Sequence, residues 1–236
     1  NNILYANKVR FNGSQANRII KLTNIENDPD ITTINLGTTS PVYFSSLKLS
    51  PFNSNTLYLG TQSGRLYKSI NINGQPSSLN IGDDDFPTAN ISSIDIGSSE
   101  NEILVTFSNY GVSSIWYTED GGLNWHEKES TLPDMPVRWG LLHPDDSNYA
   151  LIATEIGVWE TSNLLDQNVN WLPSSSGLAN VRVDMLSMSG DKVLAATHGR
   201  GLFFGDFLAE GSLMCDLNND KQINVLDIII LVNMII

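Results

Sequence analysis

The chain holds a single cysteine, Cys215, so no internal disulfide can staple it. Histidine is equally scarce: His126, His143 and His198 share no metal-ligand spacing and read as strand-end or turn residues. Basic residues are few. Thirteen Lys and Arg stand against 26 Asp and Glu, giving a net charge of −13. That balance argues against nucleic acid as a partner, because phosphates need cationic side chains to displace their counterions. It fits a solvated surface and a divalent-cation site. No apolar run is long enough to span a bilayer, and no signal peptide is visible. A glycine-rich phosphate loop and a Ser-His-Asp signature are also missing. Hydrophobic residues still make up 41% of the 236, enough for a real core and too many for global disorder.

What is present is a repeat. Residues 90–125 contain NISSIDIG, EILVTFSNYG and SSIWYTEDGGLNW: strand-like runs, then a tight turn and a tryptophan. Ile91, Ile94 and Ile96 approximate the period-two pattern of a half-buried strand. The β-branched, leucine and aromatic run 103–107 fits a more buried one, and residues 114–118 make the third. Glu119-Asp120-Gly121-Gly122 supplies the turn, glycine taking positive φ without steric cost. Leu47, Ile94, Gly140 and Leu186 occupy equivalent positions, spaced by 47, 46 and 46 residues. The second strands align as TLYLGTQSG, EILVTFSNYG, YALIATEIG and KVLAATHGRG, each followed by a short apolar-aromatic strand. A period of roughly 40–50 residues built from short strands is the signature of propeller blades.

Along the chain, residues 3–6 read as the second strand of a blade whose first strand is absent. Residues 17–22 and 32–36 would be its third and fourth. Residues 41–85 form the next blade, with a loose outer part over 71–86 containing Asp83-Asp84-Asp85, a solvated loop without ligand spacing. The third blade spans 90–133 and the fourth 137–178. The last covers 181–207 and lacks a clear fourth strand. The chain opens in mid-strand without Met and stops inside an apolar run, so it reads as an internal piece of a longer protein. The expected fold is all-β: about four to five four-stranded antiparallel blades over 1–207, the C-terminal part of a larger propeller. A linker over 208–213 and a calcium loop with a helix over 214–236 would follow.

Thr118, Asp120, Gly122 and Trp125 lie in a stretch that resembles the Asp-box, Ser/Thr-x-Asp-x-Gly-x-Thr-Trp, with Asn124 replacing the usual Thr. A carboxylate in such a hairpin accepts backbone and hydroxyl donors, and the tryptophan packs between sheets. The fourth blade holds an eroded version from Thr161 through Asp166 to Trp171. The second keeps only Ser69-Ile70-Asn71-Ile72-Asn73-Gly74. The resemblance implies that these turns sit at the propeller rim, so Asp120 holds the fold and is not a catalyst. Such repeats occur in sialidases, xyloglucanase-type glycoside hydrolases, sortilin-like receptors and other secreted bacterial proteins. Residues 195–203, AATHGRGLF, resemble the closing blade of the sortilin-like and xyloglucanase-like group. The resemblance covers residues 1–207 and identifies architecture better than activity.

A sialidase-like site would need an arginine cluster for the substrate carboxylate, with a tyrosine nucleophile and its carboxylate partner. Of Arg10, Arg18, Arg65, Arg138, Arg182 and Arg200, the last four fall near strand ends. Scattered surface or inter-blade pairing is their plainer reading. A xyloglucanase-like site would need two opposed carboxylates. Asp95, Asp184 and Asp206 are the candidates, with Asp184 just ahead of an inner strand. No catalytic constellation emerges. Trp116, Trp125, Trp139, Trp159 and Trp171 read as packing between blades, not as sugar platforms.

The most specific chemistry lies near the end. Asp216, Asn218, Asp220, Asn224 and Asp227 place oxygens at positions 1, 3, 5, 9 and 12 of an EF-hand-like loop, and Gln222 offers its carbonyl at position 7. Ca²⁺ takes six to eight oxygens, which this spacing supplies. Lys221 replaces the glycine at position 6, at a cost of about 1 kcal/mol in a left-handed conformation. Residues 225–236 read as a helix, apolar nearly all round, that must be buried on several sides. The stretch resembles the first repeat of a type I dockerin, which implies a cohesin-like partner; the second repeat is absent. The expectation is a secreted bacterial protein related to polysaccharides. Its propeller would bind or scaffold extracellularly, with a carbohydrate or protein ligand, tethered by the dockerin-like module. Two other classes stay open. One is a fragment of a xyloglucanase-like or sialidase-like hydrolase whose catalytic residues lie largely upstream. The other is a sortilin-like protein-binding propeller.

Overall fold

The computed structural model describes residues 3–7, 17–38, 43–82, 84–174, 177–178 and 180–207. Over these residues the chain forms five antiparallel sheets. The first blade is β1 (Leu4–Asn7), β2 (Arg18–Thr23) and β3 (Asp30–Asn35). The second is β4 (Phe44–Leu49), β5 (Thr56–Thr61), β6 (Leu66–Ile70) and β7 (Ser77–Asn80). The third is β8 (Ile91–Ile96), β9 (Ile103–Phe107), β10 (Ile115–Thr118) and β11 (His126–Glu127). The fourth is β12 (Val137–Leu142), β13 (Ala150–Thr154), β14 (Gly157–Thr161) and β15 (Leu172–Ser174). The fifth is β16 (Val183–Ser189), β17 (Lys192–Thr197) and β18 (Gly201–Asp206). Neighbours within each sheet follow chain order, as short hairpin connections require. Among the described residues no helix is long and apolar enough to cross a membrane.

The core is divided into four seams, one between each pair of successive blades. Strand β9 shows why. Ile103, Val105 and Phe107 face the second blade in one cluster, while Leu104 faces the fourth in another. A strand covered on both faces reads as a continuous apolar run, with no alternation. Phe86, Trp116 and Trp125 pack together in the seam between the second and third blades, with ring centroids 5.0–5.1 Å from Phe86. Val183, Leu186, Val193 and Ala195 close the last seam against Leu141 and Leu151.

One sequence expectation needs correction, and another falls outside the described residues. The outer part of the second blade is not simply loose: Ser77–Asn80 forms a fourth strand on β6. It was hidden because Ser, Leu and Asn give no apolar alternation. Asp84 and Asp85 are exposed in the turn that follows. The calcium-loop residues Asp216, Asn218, Asp220, Gln222, Asn224 and Asp227, the helix expected over 225–236, Cys215, Arg10 and Asp83 lie outside the described residues.

Candidate ligand-binding face

Four inner strands are bulged at the same place. The ladder shifts between Phe44 and Ser46, Ile91 and Ser93, Val137 and Trp139, and Val183 and Met185. The extra residues are Ser45, Ser92, Arg138 and Asp184. A bulge re-aims its side chain, here toward a neighbouring blade. Ser45 Oγ donates to the Ile91 carbonyl at 2.7 Å, and Ser92 Oγ to the Val137 carbonyl at 2.6 Å. In the fourth and fifth blades the same position is charged, and Arg138 Nε lies 3.9 Å from Asp184 Oδ1 across the seam.

The end of each second strand stands opposite the bulge, because Val137 pairs with Thr154 and Val183 with Thr197. Glu155 and His198 come next in the chain. Arg138 donates from Nε to Glu155 Oε1 at 2.7 Å, and from Nη2 to the same oxygen. Arg182 Nε donates to Asp184 Oδ1 at 2.6 Å, and His198 Nδ1 lies 3.3 Å from Asp184 Oδ2. The two blades thus carry the same pair of positions with the carboxylate exchanged: Glu155 just past the second strand beside Arg138 on one bulge, and Asp184 on the other bulge beside His198. Burial pushes the Asp184 carboxyl up. The hydrogen bond and charge of Arg182, then His198 and Arg138, outweigh it and hold the group below the usual carboxylate range. Asp184, faced by Arg182 and Arg138 and held below the usual carboxylate range, is not placed to serve as a protonated acid. What the cluster offers is a set of propped arginines, with donors left over on Arg182.

The structure therefore joins Arg138, Arg182 and Asp184 and adds Glu155 and His198. It does not join the other candidates. Asp95 is buried between blades, with Lys48 Nζ at 2.6 Å from Oδ1 and the Leu142 N–H donating to Oδ2 at 2.8 Å. Asp206 pairs with Lys192 at the opposite end of β17 and β18. Arg65 and Arg200 lie in the β5–β6 and β17–β18 turns, at the same edge as the cluster but outside its ion pairs. His143 is buried, with Nε2 3.1 Å from the Phe207 carbonyl and Nδ1 accepting the Asp145 N–H. His126 sits in β11. Glu155 was missed altogether. A signal existed: the column Ser45, Ser92, Arg138, Asp184 changes from hydroxyl to charge in the last two blades. The hollows lined by Lys21, Thr23 and Asn24, or by Tyr149, Glu160 and Asp206, lie away from this open face.

The other edge of the sheets carries the turn at Asp120. Its Oδ1 accepts Thr118 Oγ1 at 2.8 Å and the Leu123 and Asn124 N–H groups at 2.9 Å each, while Oδ2 accepts Asn124 Nδ2 at 2.7 Å. The Asn124 side-chain and backbone bonds lead in pulling the carboxyl down to about 2. Trp125 Nε1 donates to the Ile81 carbonyl of the preceding blade at 2.7 Å. Gly122 has φ +95, and a Cβ there would meet that same carbonyl at 2.9 Å. The fourth blade repeats the scheme, but with Asn163 in the central place, not Asp166. Asn163 Oδ1 accepts Thr161 Oγ1 and the Asn170 N–H, each at 2.9 Å, and Trp171 Nε1 donates to the Lys128 carbonyl at 2.8 Å. In the second blade Asn71 turns at φ 58, and its Oδ1 receives Asn55 Nδ2.

These stacked sheets define a propeller-like all-β protein. They are similar to the GH74 xyloglucanase from Xanthomonas campestris at 14% identity and TM-score 0.58, over 87% of this chain and 35% of that one. They are also similar to the GH74 enzyme of Niastella koreensis at 18% and 0.56, over 80% and 33%. An ancestral GH74 enzyme is similar at 16% and 0.54, over 82% and 27%. The chain thus spans about a third of the length of these enzymes, and at such identities the likeness concerns the fold. No protein-family model and no curated protein matches the chain.

Proposed function

We propose that the chain carries blades of a larger, secreted bacterial propeller that binds a polysaccharide on the face formed by Arg138, Glu155, Arg182, Asp184 and His198. The observation that carries this reading is the bulge column: where earlier blades close the seam with serine, the last two expose a pre-formed charged network. Rigid, ion-propped side chains lose little entropy on binding. The turns at Thr118–Trp125 and Thr161–Trp171 read as Asp-box and Asp-box-like staples on the opposite edge, outside the ligand face. The loop at Asp216, Asn218, Asp220, Gln222, Asn224 and Asp227 would hold Ca²⁺ as the first half of a dockerin-like tether to a cohesin-like partner.

A glycoside hydrolase is the second reading, favoured by the fold likeness to xyloglucanases. In this chain Asp184 faces arginines and is held as a carboxylate, so a hydrolase would draw its acid from another residue. Isothermal titration against a polysaccharide panel, with a reducing-end assay on the same samples, separates the two. Binding without release is expected; release of reducing ends would turn the assignment to the hydrolase, and absence of any polysaccharide binding would remove the proposal. For the tail, calorimetry of the chain should show Ca²⁺ uptake that Asp216→Ala abolishes. Uptake unchanged in that variant would remove the loop assignment.

A further inference from the structure

Resting on that reading, we infer that the polysaccharide is carboxylated, a hexuronate-containing polymer whose carboxylates are taken by arginines of this face. The chain has six arginines, and the five described ones all lie at one edge of the sheets. Arg138 is the fourth-blade bulge and Arg182 precedes β16. Arg65 and Arg200 sit in the turns that leave the second strands of their blades. Arg18 opens β2, beside the end of β1, where Asn7 Nδ2 donates to the Phe44 carbonyl at the start of β4 at 2.6 Å. Starts of inner strands and ends of second strands therefore share this edge in the second to fifth blades, and the end of β1 joins it from the first.

Whereas this edge sets its arginines among Asp84, Asp85, Glu129, Asp134, Glu155 and Asp184, the opposite edge carries acids and, among the described residues, no arginine. Glu100, Glu119, Asp146, Asp166 and Asp191 occupy its turns, between β8 and β9, β10 and β11, β12 and β13, β14 and β15, and β16 and β17. A protein of net charge −13 has thus reserved its guanidinium groups for one face. Guanidinium forks match carboxylates in plane and spacing, as a lysine ammonium does not. Arg18, Arg65 and Arg200 are exposed and have no acidic partner among the described residues. Arg182 spends its Nε on Asp184 and keeps its Nη donors. Asp184 and Glu155 hold their arginines in place without cancelling the set. A neutral glucan would leave these charged donors facing only hydroxyls. A polymer with a carboxylate on successive sugars engages them repeatedly while its hydroxyls bond Glu155 and His198.

The test titrates the full chain with a soluble oligogalacturonide, its methyl ester, and a xyloglucan oligosaccharide of similar length. Oligogalacturonide should bind most tightly, weaken as salt rises, and lose about tenfold on methyl esterification, the scale of a lost charge-assisted hydrogen bond. Arg200→Gln, at an exposed position, should weaken it several-fold with no change in melting temperature. Arg182→Lys should recover less than half of the wild-type affinity, because charge returns without the fork. If xyloglucan binds as well as or better than oligogalacturonide, the carboxylate inference is overturned while polysaccharide binding stands. If neither binds, the carboxylate inference is overturned, and the polysaccharide panel decides whether the function proposed above stands.

Discussion

Asp120 closes its turn with charge, and Asn163 closes the matching turn without it. Four hydrogen bonds converge on Asp120 from Thr118, Leu123 and Asn124. They hold its carboxyl down at about 2, below the usual carboxylate range. A depressed carboxylate stabilises the fold above its unfolded pKa and loses that contribution as pH falls through the folded one. The third-blade turn should therefore weaken between about pH 4 and pH 2. Asp120→Ala should cost about 1–2 kcal/mol at neutral pH, since three backbone or hydroxyl donors return to water. For a fold of this size that is a fall of several degrees in melting temperature. Asp120→Asn should keep most of the stability, as Asn163 does in its own blade, and should flatten the acid limb of the melting curve. Thermal scans from neutral pH down to pH 2 read both effects. An unchanged acid limb in Asp120→Asn would assign the loss to other carboxylates.

At the scale of the strand, close approach is set by small residues. A Cβ at Gly60 in β5 would lie 2.4 Å from Ile91 Cγ2 and 2.8 Å from its Cβ, so the second and third blades meet there without room for a methyl. Gly205 in β18 meets nothing within 4 Å. Gly60→Ala should destabilise by about 1–3 kcal/mol through overpacking against a stiff β-branched side chain. Gly205→Ala should stay within about 0.5 kcal/mol. Urea unfolding of the two variants compares them directly, and equal effects would mean that the seam relaxes. Much of this was legible in the chain. The alignment of Leu47, Ile94, Gly140 and Leu186 coincides with the observed register, each three residues beyond the first pair of its bulged inner strand. The repeat was visible because core seams on both faces demand apolar residues at fixed spacing. The binding face was not. A bulge leaves no mark in a period-two pattern, and Glu155 gains its meaning only from Arg138, 17 residues earlier. Asn163 was passed over for Asp166 because an inserted turn shifted the spacing, and the amide does the carboxylate's geometric work unannounced.

At the scale of the whole array, the two end faces differ from every seam between them. Leu202 and Phe204 stand where Ile115 and Tyr117 stand in the third blade, since Leu202 pairs with Ala196 and Phe204 with Leu194, as Ile115 pairs with Thr106 and Tyr117 with Leu104. Ile115 and Tyr117 are 0% and 1% exposed, covered by the fourth blade, whereas Leu202 and Phe204 are 61% and 76% exposed. At the other end Leu4 and Ile31 share a row through Leu22, and both are exposed. Covering a leucine and a phenylalanine is worth about 1.5–3 kcal/mol each, so the fifth-blade face alone holds several kcal/mol of unsatisfied burial. A contiguous apolar face of this kind drives association. The chain expressed alone should run above its monomer mass of 26.0 kDa in light scattering, with the excess rising with concentration. Leu202→Ser with Phe204→Ser should bring the mass down toward the monomer without lowering the melting temperature, because both side chains stand exposed on the described blades. A wild-type chain that stays monomeric at high concentration would mean that the outer face of the fifth blade, unlike the four seams, is tolerated in water as it stands.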